Sequence, residues 1–272
     1  MENINLINLP PVARTLFVPL ACRARESARS DALIHDPHAV ELFTRLEGGS
    51  DLLMGLSSLD QTFTVMRVRQ FDNYTRAFLS SNTQGLVVDI GCGLDTRSSR
   101  LDIDGIIWVG LDIPEVIELR RRFLPDNRRY QTIACSMLDL SWLDIITKMN
   151  KPVIFLAEGV FPYFTEEEIK PVVTALADRF SGGELVFDAL SSFSVILHNL
   201  THPVLKQTRS RLKWGVDNPY SLESWGMRLL NKWGYFDNRE PRLRLANMMR
   251  YVPLLAYSNY ILHFRLGNNP KT

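Results

Sequence analysis

Four acids stand where apolar runs stop. Asp89 lies within residues 86–90, Asp112 closes 105–111, Asp139 lies past 130–134, and Glu158 follows 152–157 directly. Beside the first of them the chain reads Gly91-Cys92-Gly93-Leu94-Asp95-Thr96-Arg97. A glycine turn straight after a strand lets a ligand lie against bare backbone, and an acid about 20 residues further on accepts both hydroxyls of a ribose. Asp112 occupies that place, so the pattern points to a ligand with a ribose. Asp95 narrows the choice. The dinucleotide fingerprint wants a glycine near that point, and a carboxylate there would repel a pyrophosphate. The turn therefore argues against NAD and suits a ligand whose nearby group is cationic, such as the amino group or sulfonium of S-adenosylmethionine. Taken singly, each acid is as well read as a cap or turn residue. Four strand ends delivering a carboxylate to one edge of a sheet favour the ligand.

The elements that must position these groups follow from hydrophobic pattern. Residues 86–90 are short, apolar, rich in β-branched side chains and preceded by glycine, which reads as a buried parallel strand. From 85 to 190 strand and helix patterns alternate, the signal for a parallel sheet, with further strands at 105–111, 130–134, 152–157 and 184–189. Helices open near Ser98, at Pro114, and at Thr165-Glu166-Glu167-Glu168, the last with a capping-box pattern. Residues 1–84 read as helical and irregular: Asp36 caps a helix whose first residue is Pro37, 47–50 form a loop, and Phe63, Met66, Phe71, Tyr74 and Phe78 mark an amphipathic helix over about 60–80. Arg67 and Arg69 sit on or beside that apolar stripe, where an arginine needs a charged partner or must reach to solvent. Beyond 190 the reading is a helix over 191–214 broken at Pro203, a capped helix from Ser221 to near Gly234, and a final strand or hairpin within 254–266. The expectation is an α/β protein with a mostly parallel central sheet and helices on both faces. It comprises one domain over 1–272: an N-terminal helical lid (1–84), a ligand-binding core (85–190), and a helical cap before and around the last strands (191–272).

Composition removes several classes. The chain has 272 residues, 46% hydrophobic and 22% charged, ordinary for a globular protein. A net charge of +1 gives no field to gather nucleic acid. No apolar run reaches membrane-spanning length and the first residues lack a secretory pattern, so no membrane partner is expected. Cys22, Cys92 and Cys135 show no C-x-x-C spacing, which points to a reducing cytoplasm. The five histidines are scattered, form no H-E-x-x-H pair, and read as surface or core residues; no metal site is expected.

The segments Val88-Asp89-Ile90-Gly91-Cys92-Gly93-Leu94-Asp95-Thr96-Arg97, Gly110-Leu111-Asp112-Ile113-Pro114-Glu115-Val116 and Ala157-Glu158-Gly159-Val160-Phe161-Pro162-Tyr163-Phe164, with His35-Asp36-Pro37 and Arg67-Val68-Arg69 upstream, resemble the leucine carboxyl methyltransferase family of S-adenosylmethionine-dependent methyltransferases. The similarity is greater to its bacterial branch of O-methyltransferases associated with polyketide biosynthesis, and it runs from about residue 15 to 265. The resemblance implies a Rossmann-like class I methyltransferase fold, S-adenosyl-L-methionine as cofactor and S-adenosyl-L-homocysteine as product. It further implies that Gly91 and Gly93 line the methionine part of the cofactor, Asp112 holds the ribose, Asp139 and Leu140 the adenine, and Glu158 the amino group. Arg67 would pair with the cofactor carboxylate, and Arg25 stands where the family places a second cation. Tyr163 is the candidate lining the methyl-transfer site, with aromatic packing as its alternative.

A sulfonium is a good leaving group, so the protein has mainly to align oxygen, methyl and sulfur. A carboxylate acceptor is already ionised and needs no base, which agrees with the lack of a recognisable histidine pairing; a phenol would need one. Arg23, Arg25 and Arg29 either draw in an anionic acceptor or form a solvated helix face, the latter preferred for Arg23 and Arg29. A protein that only senses the cofactor, an NAD-linked oxidoreductase and a methyltransferase for protein C-termini remain as rivals. The bacterial resemblance favours a small-molecule acceptor; oligomeric state is open.

Overall fold

The computed structural model describes residues 10–46, 56–237, 239–256 and 258–267. Five strands follow the alternation read from sequence: β1 (Leu86–Ile90), β2 (Ile107–Asp112), β3 (Tyr130–Ala134), β4 (Val153–Ala157) and β5 (Glu184–Leu190). Two more, β6 (Met227–Gly234) and β7 (Asn259–Leu266), complete a seven-stranded sheet in the order β3-β2-β1-β4-β5-β7-β6. The first five pair in parallel, and β7 runs antiparallel to both β5 and β6. The chain order reverses at β1, with β2 on one side and β4 on the other. In an open α/β sheet such a reversal leaves a crevice beyond the carboxyl ends of the strands.

The period of two in β1 decides what covers each face. Leu86, Val88 and Ile90 point into a core with Trp142, Phe155, Ile169, Val172, Phe187 and Phe264. Val87 points the other way, into a cluster with Phe71, Tyr74, Phe78, Trp108 and Ile154. The first face is covered by α6 (Trp142–Met149) and α7 (Glu166–Arg179), the second by the long α3 (Ser58–Ser81). α3 begins with a reciprocal cap between Ser57 and Asp60, and α7 with the expected one between Thr165 and Glu168. A third cluster joins α1 (Phe17–Ser27) and α2 (Pro37–Thr44) to the glycine turn and to α5 (Pro114–Phe123), through Phe17, Leu20, Leu42, Leu94, Val116 and Leu119. Asp36 caps α2 by accepting from the Ala39 amide, with Pro37 in the first turn. The remaining helices are α4 (Arg97–Leu101), α8 (Ser192–Thr201), α9 (Pro203–Thr208) and α10 (Pro253–Ala256). No helix among the described residues is long and apolar enough to cross a membrane.

Two expectations need correction. The segment from Ser221 to Gly234 is not a capped helix but a short 3-10 turn, Pro219–Trp225, followed by β6. β6 is an edge strand whose exposed positions include Arg228 and Asn231, and a bulge between Leu229 and Asn231 breaks its alternation, so no clean period of two is left to read. Helix 191–214 stops at α9; residues 209–218 run without helix beside the cavity described below. Of the strand or hairpin expected within 254–266, the structure has the strand, β7, which pairs with β5 and β6. The loop expected at 47–50 lies outside the described residues.

Phe187 is fully buried, 5.0 Å between ring centroids from Phe161, and stacked on Phe264 and Trp214 at 5.8 and 6.2 Å. Phe187→Ala should therefore lose about 3–5 kcal/mol of stability, measured by urea unfolding.

Candidate active site

The carboxyl ends of β1, β2, β4 and β5, the glycine turn, α1 and the 191–213 segment enclose a cavity of about 980 Å³. That is the upper end of the usual range for small-molecule sites and leaves room for more than one ligand. Gly91 and Gly93 carry φ of +69° and +44°, the left-handed region that favours glycine. A Cβ on Gly91 would lie 2.4 Å from Val160 Cγ2, so this piece of wall must remain bare backbone.

Asp112 sits on that wall. Its Oδ2 accepts from the Gly93 amide and its Oδ1 from the Ile113 amide, both at 2.8 Å. Each carboxylate oxygen has two acceptor positions, so one remains free on each atom, side by side, for a diol. Burial pushes this carboxyl up to about 6, with the two amide bonds and Arg120 pulling the other way.

The other acids do not form a bare row. Arg97, buried and stacked over the Phe71 ring, contacts Asp72 at 2.8 Å through Nε, Asp95 at 2.7 Å through Nη1 and Glu158 through Nη2. Burial acts to raise the Asp95 carboxyl, but Arg97, Arg100 and Arg23 outweigh it and hold Asp95 well below the usual carboxylate range. Arg67 spans Glu158 at 3.1 Å and Asp188 at 3.0 Å, and Asp188 also accepts from the Gly159 amide at 2.6 Å. These two bonds use two of the five guanidinium donors of Arg67 and leave three. Asp89 differs: its carboxyl faces the cavity with no hydrogen bond or ion pair among the described residues. Burial, then repulsion from Asp95, pushes it well above the ordinary value. A buried acid without a partner, beside a bare-backbone wall, is a site that a cation would complete.

The expected site residues distribute as follows. Gly91, Gly93, Asp112, Glu158, Arg67 and Tyr163 all line the one cavity. Tyr163 ends the short 3-10 turn Phe161–Tyr163, and burial raises its hydroxyl's pKa. Three residues are not brought there. Asp139 is exposed and accepts from the Ser141 amide, and Leu140 packs against the sheet core; the wall after β3 is built instead from Cys135, Ser136 and Met137. Arg25 is exposed and does not line the cavity. Its neighbour Arg23, expected on a solvated face, is 4% exposed, lines the cavity, and binds Asp36 at 2.9 Å and the Leu94 carbonyl at 2.8 Å. The helical repeat explains the exchange, since two residues along α1 turn a side chain roughly to the opposite face. Arg29 is exposed and paired with Asp31, as a solvated face requires.

Sequence reasoning missed Asp188, although it stands near the carboxyl end of β5, as the other acids stand near the ends of theirs. It also missed two histidines. His198 on α8 and His202 just past it line the cavity opposite the strand ends, their rings stacked with centroids 5.6 Å apart. The spacing of four within a helix-forming segment was the available signal. With them on the wall, the absence of a histidine pairing no longer supports a carboxylate acceptor.

The leucine carboxyl methyltransferase family model matches residues 17–177. The tetracenomycin polyketide synthesis O-methyltransferase TcmP of Streptomyces glaucescens is 28% identical over 267 residues, 95% of this chain and 98% of that protein. The S-adenosyl-L-methionine-dependent methyltransferase dpfgK of Gibberella zeae is 28% identical over 237 residues, 80% of each chain. Among solved structures, a DUF574 family protein from Streptomyces avermitilis superposes with a TM-score of 0.56 at 15% identity, covering 91% of this chain and 96% of that one. The magnesium protoporphyrin IX methyltransferase ChlM of Synechocystis, with SAH bound, gives 0.50 at 16% identity, covering 85% and 100%. These two carry the fold alone: Rossmann-like, of class I methyltransferase type.

Removing the guanidinium in Arg97→Ala leaves Asp72, Asp95 and Glu158 without their shared cation. A loss of about 3–5 kcal/mol is expected in urea unfolding. Arg97→Lys should recover little of it, because an ammonium cannot meet three carboxylates along the directions of a planar fork.

Proposed function

The chain belongs to the leucine carboxyl methyltransferase family, and on that premise we propose that it moves the methyl group of S-adenosylmethionine onto an oxygen of a small-molecule acceptor. The observation that carries this is one continuous cavity with two unlike ends. At one end stand the diol-ready Asp112, the unpaired Asp89 and the bare Gly91 turn; at the other stand Phe193, His198, His202 and the leucines of the 191–213 segment. The residues present fit the cofactor. Asp112 offers two acceptors to a ribose, Gly91 and Gly93 leave space against the backbone, and Asp89, with no partner among the described residues, offers a carboxyl to an ammonium. Arg67 keeps donors for a carboxylate. When bound, S-adenosylmethionine supplies a methyl on a positively charged sulfur, a good leaving group.

The protein's own contribution is alignment and exclusion of water. α1 and the 191–213 segment close over the strand ends, and Tyr163 sits between the Glu158 end and Leu205 and Leu212. The Arg97 and Arg67 pairs fix the carboxylates before any ligand enters, so binding does not have to organise them. A relative named for polyketide synthesis supports a small molecule over a protein C-terminus.

Isothermal titration should show binding of S-adenosylmethionine and S-adenosylhomocysteine but not of NAD; heat from NAD alone would reject the proposal. The Asp112 carboxyl adds a pH signature. Its folded value, about 6, exceeds the ordinary 3.8, so the empty protein favours the protonated form and loses stability as pH rises from 3.8 through 6. Ribose hydroxyls donate best to the ionised form. S-adenosylhomocysteine affinity should therefore climb as pH passes through about 6. Asp112→Asn should flatten that climb and weaken binding at pH 7.5 by about 1–3 kcal/mol.

A further inference from the structure

Helix α8 turns an apolar stripe to solvent. Phe193, Ile196, Leu197 and Leu200 have the spacing of one helix face and are 38, 61, 39 and 66% exposed. The opposite face is already packed: Ser194 and Val195 are buried, and Val195 sits in a cluster with Leu205 and Leu212. A surface helix normally presents charged and polar side chains on its outward face. Phe193 and Leu197 also line the cavity, so the stripe begins at the cavity wall and runs outward to Ile196 and Leu200, which do not line it.

The charge around the stripe has one sign. Residues 189–216 contain no aspartate or glutamate and carry Lys206, Arg209, Arg211 and Lys213, all exposed. Lys213 has Glu168 at 3.7 Å; the other three have no ion pair among the described residues. The acids that bound this segment are already engaged, Asp188 by Arg67 and Asp217 by Ser192 at the start of α8. Residues 241–256, which reach the same cavity at Met249 and Leu255, repeat the pattern. They too lack an acid, expose Leu245, Met248 and Tyr251, and leave the Arg244 guanidinium without an ion pair among the described residues. In a chain whose net charge is +1, such segments are a local concentration of cations.

We propose that the outward face of α8, with the cations of residues 206–211, docks on an anionic lipid surface. The apolar stripe enters the acyl boundary, and the lysine and arginines beside it meet phosphate headgroups. A second copy of this chain fits worse, since a two-fold contact would set Lys206, Arg209 and Arg211 against the same cations. An acidic protein also fits worse: lysine is depleted in protein interfaces, and leucine is under-represented among the residues that carry their affinity. The expectation of no membrane partner rested on the lack of a spanning run, which a contact of this kind does not need. Docking is independent of the methyl-transfer reading above.

Flotation of the full chain with lipid vesicles tests this. The protein should float with mixed phosphatidylglycerol–phosphatidylcholine vesicles, be released by added salt, and stay behind with phosphatidylcholine alone. Ile196→Asp combined with Leu200→Asp should lower the bound fraction about tenfold or more, because two carboxylates would have to enter the lipid boundary. An unchanged urea-unfolding midpoint shows that this variant is folded, and Lys206→Glu with Arg209→Glu is the second variant, expected to lose binding in the same way. No flotation with anionic vesicles, equal flotation with phosphatidylcholine, or undiminished flotation of both variants overturns the proposal. Two other results also overturn it, each in the absence of vesicle binding. Self-association that Ile196→Asp abolishes would assign the face to a second copy, and retention on an immobilised leucine–glutamate helical peptide would assign it to an acidic protein.

Discussion

The site depends on one buried cation. The Arg97 guanidinium takes a carboxylate from α3 (Asp72), one from the glycine turn (Asp95) and one from beyond β4 (Glu158). Three separate parts of the chain are thereby held at one point. Arg100 continues the alternation, binding Asp72 and also Asp36 at 2.8 Å, and Asp36 in turn holds Arg23 of α1. A line of opposite charges thus runs from the covering helices, under the turn, to Arg67 and Asp188 at the end of β5. Buried pairs of this kind gain little net energy over apolar packing, but breaking one is costly, so their effect is to forbid other arrangements.

That network also decides which acids are available to a ligand. Glu158, Asp95 and Asp188 are already answered by arginine, while Asp89 and Asp112 are not. The sheet delivers acids to the cavity, and arginines from α3 and α4 select those that remain electrostatically exposed. The cavity so built is asymmetric: acidic and polar at the strand ends, aromatic and basic beneath α8 and α9.

The parts of this arrangement that were legible in the sequence are those set by local rules. β1, its glycine turn and Asp112 follow from a run of β-branched residues, two glycines and a spacing. The caps at Asp36 and Thr165 follow from one side chain meeting one backbone amide nearby. The rest depends on distance in space. Asp36 reads as a cap because its bond to Ala39 is three residues away, yet its partners Arg100 and Thr96 lie 64 and 60 residues along the chain. Arg23 and Arg25 are equivalent as letters and separate only when α1 has a face to bury. Asp139 satisfies the strand-end pattern but turns outward to cap its own turn at Ser141. His198 and His202 are paired by their spacing, but only the position of α8 puts them on the cavity wall, and β6 became readable only as the partner of β7.

The position of β7 has a consequence for how the chain is made. It lies between β5 and β6 although both precede it in sequence, and it pairs along its length with each. During synthesis β5 and β6 therefore emerge with no neighbour on the sides that β7 will fill, and nothing in the order of the sheet lets them join each other correctly. Until residues 259–266 leave the ribosome, two open strand edges are presented to the crowded cell, the condition under which nascent chains pair with the wrong partner. Asn259, which accepts the Ser194 hydroxyl proton beside the cavity, arrives on that same late strand. That side of the cavity is thus completed by the step that seals the sheet.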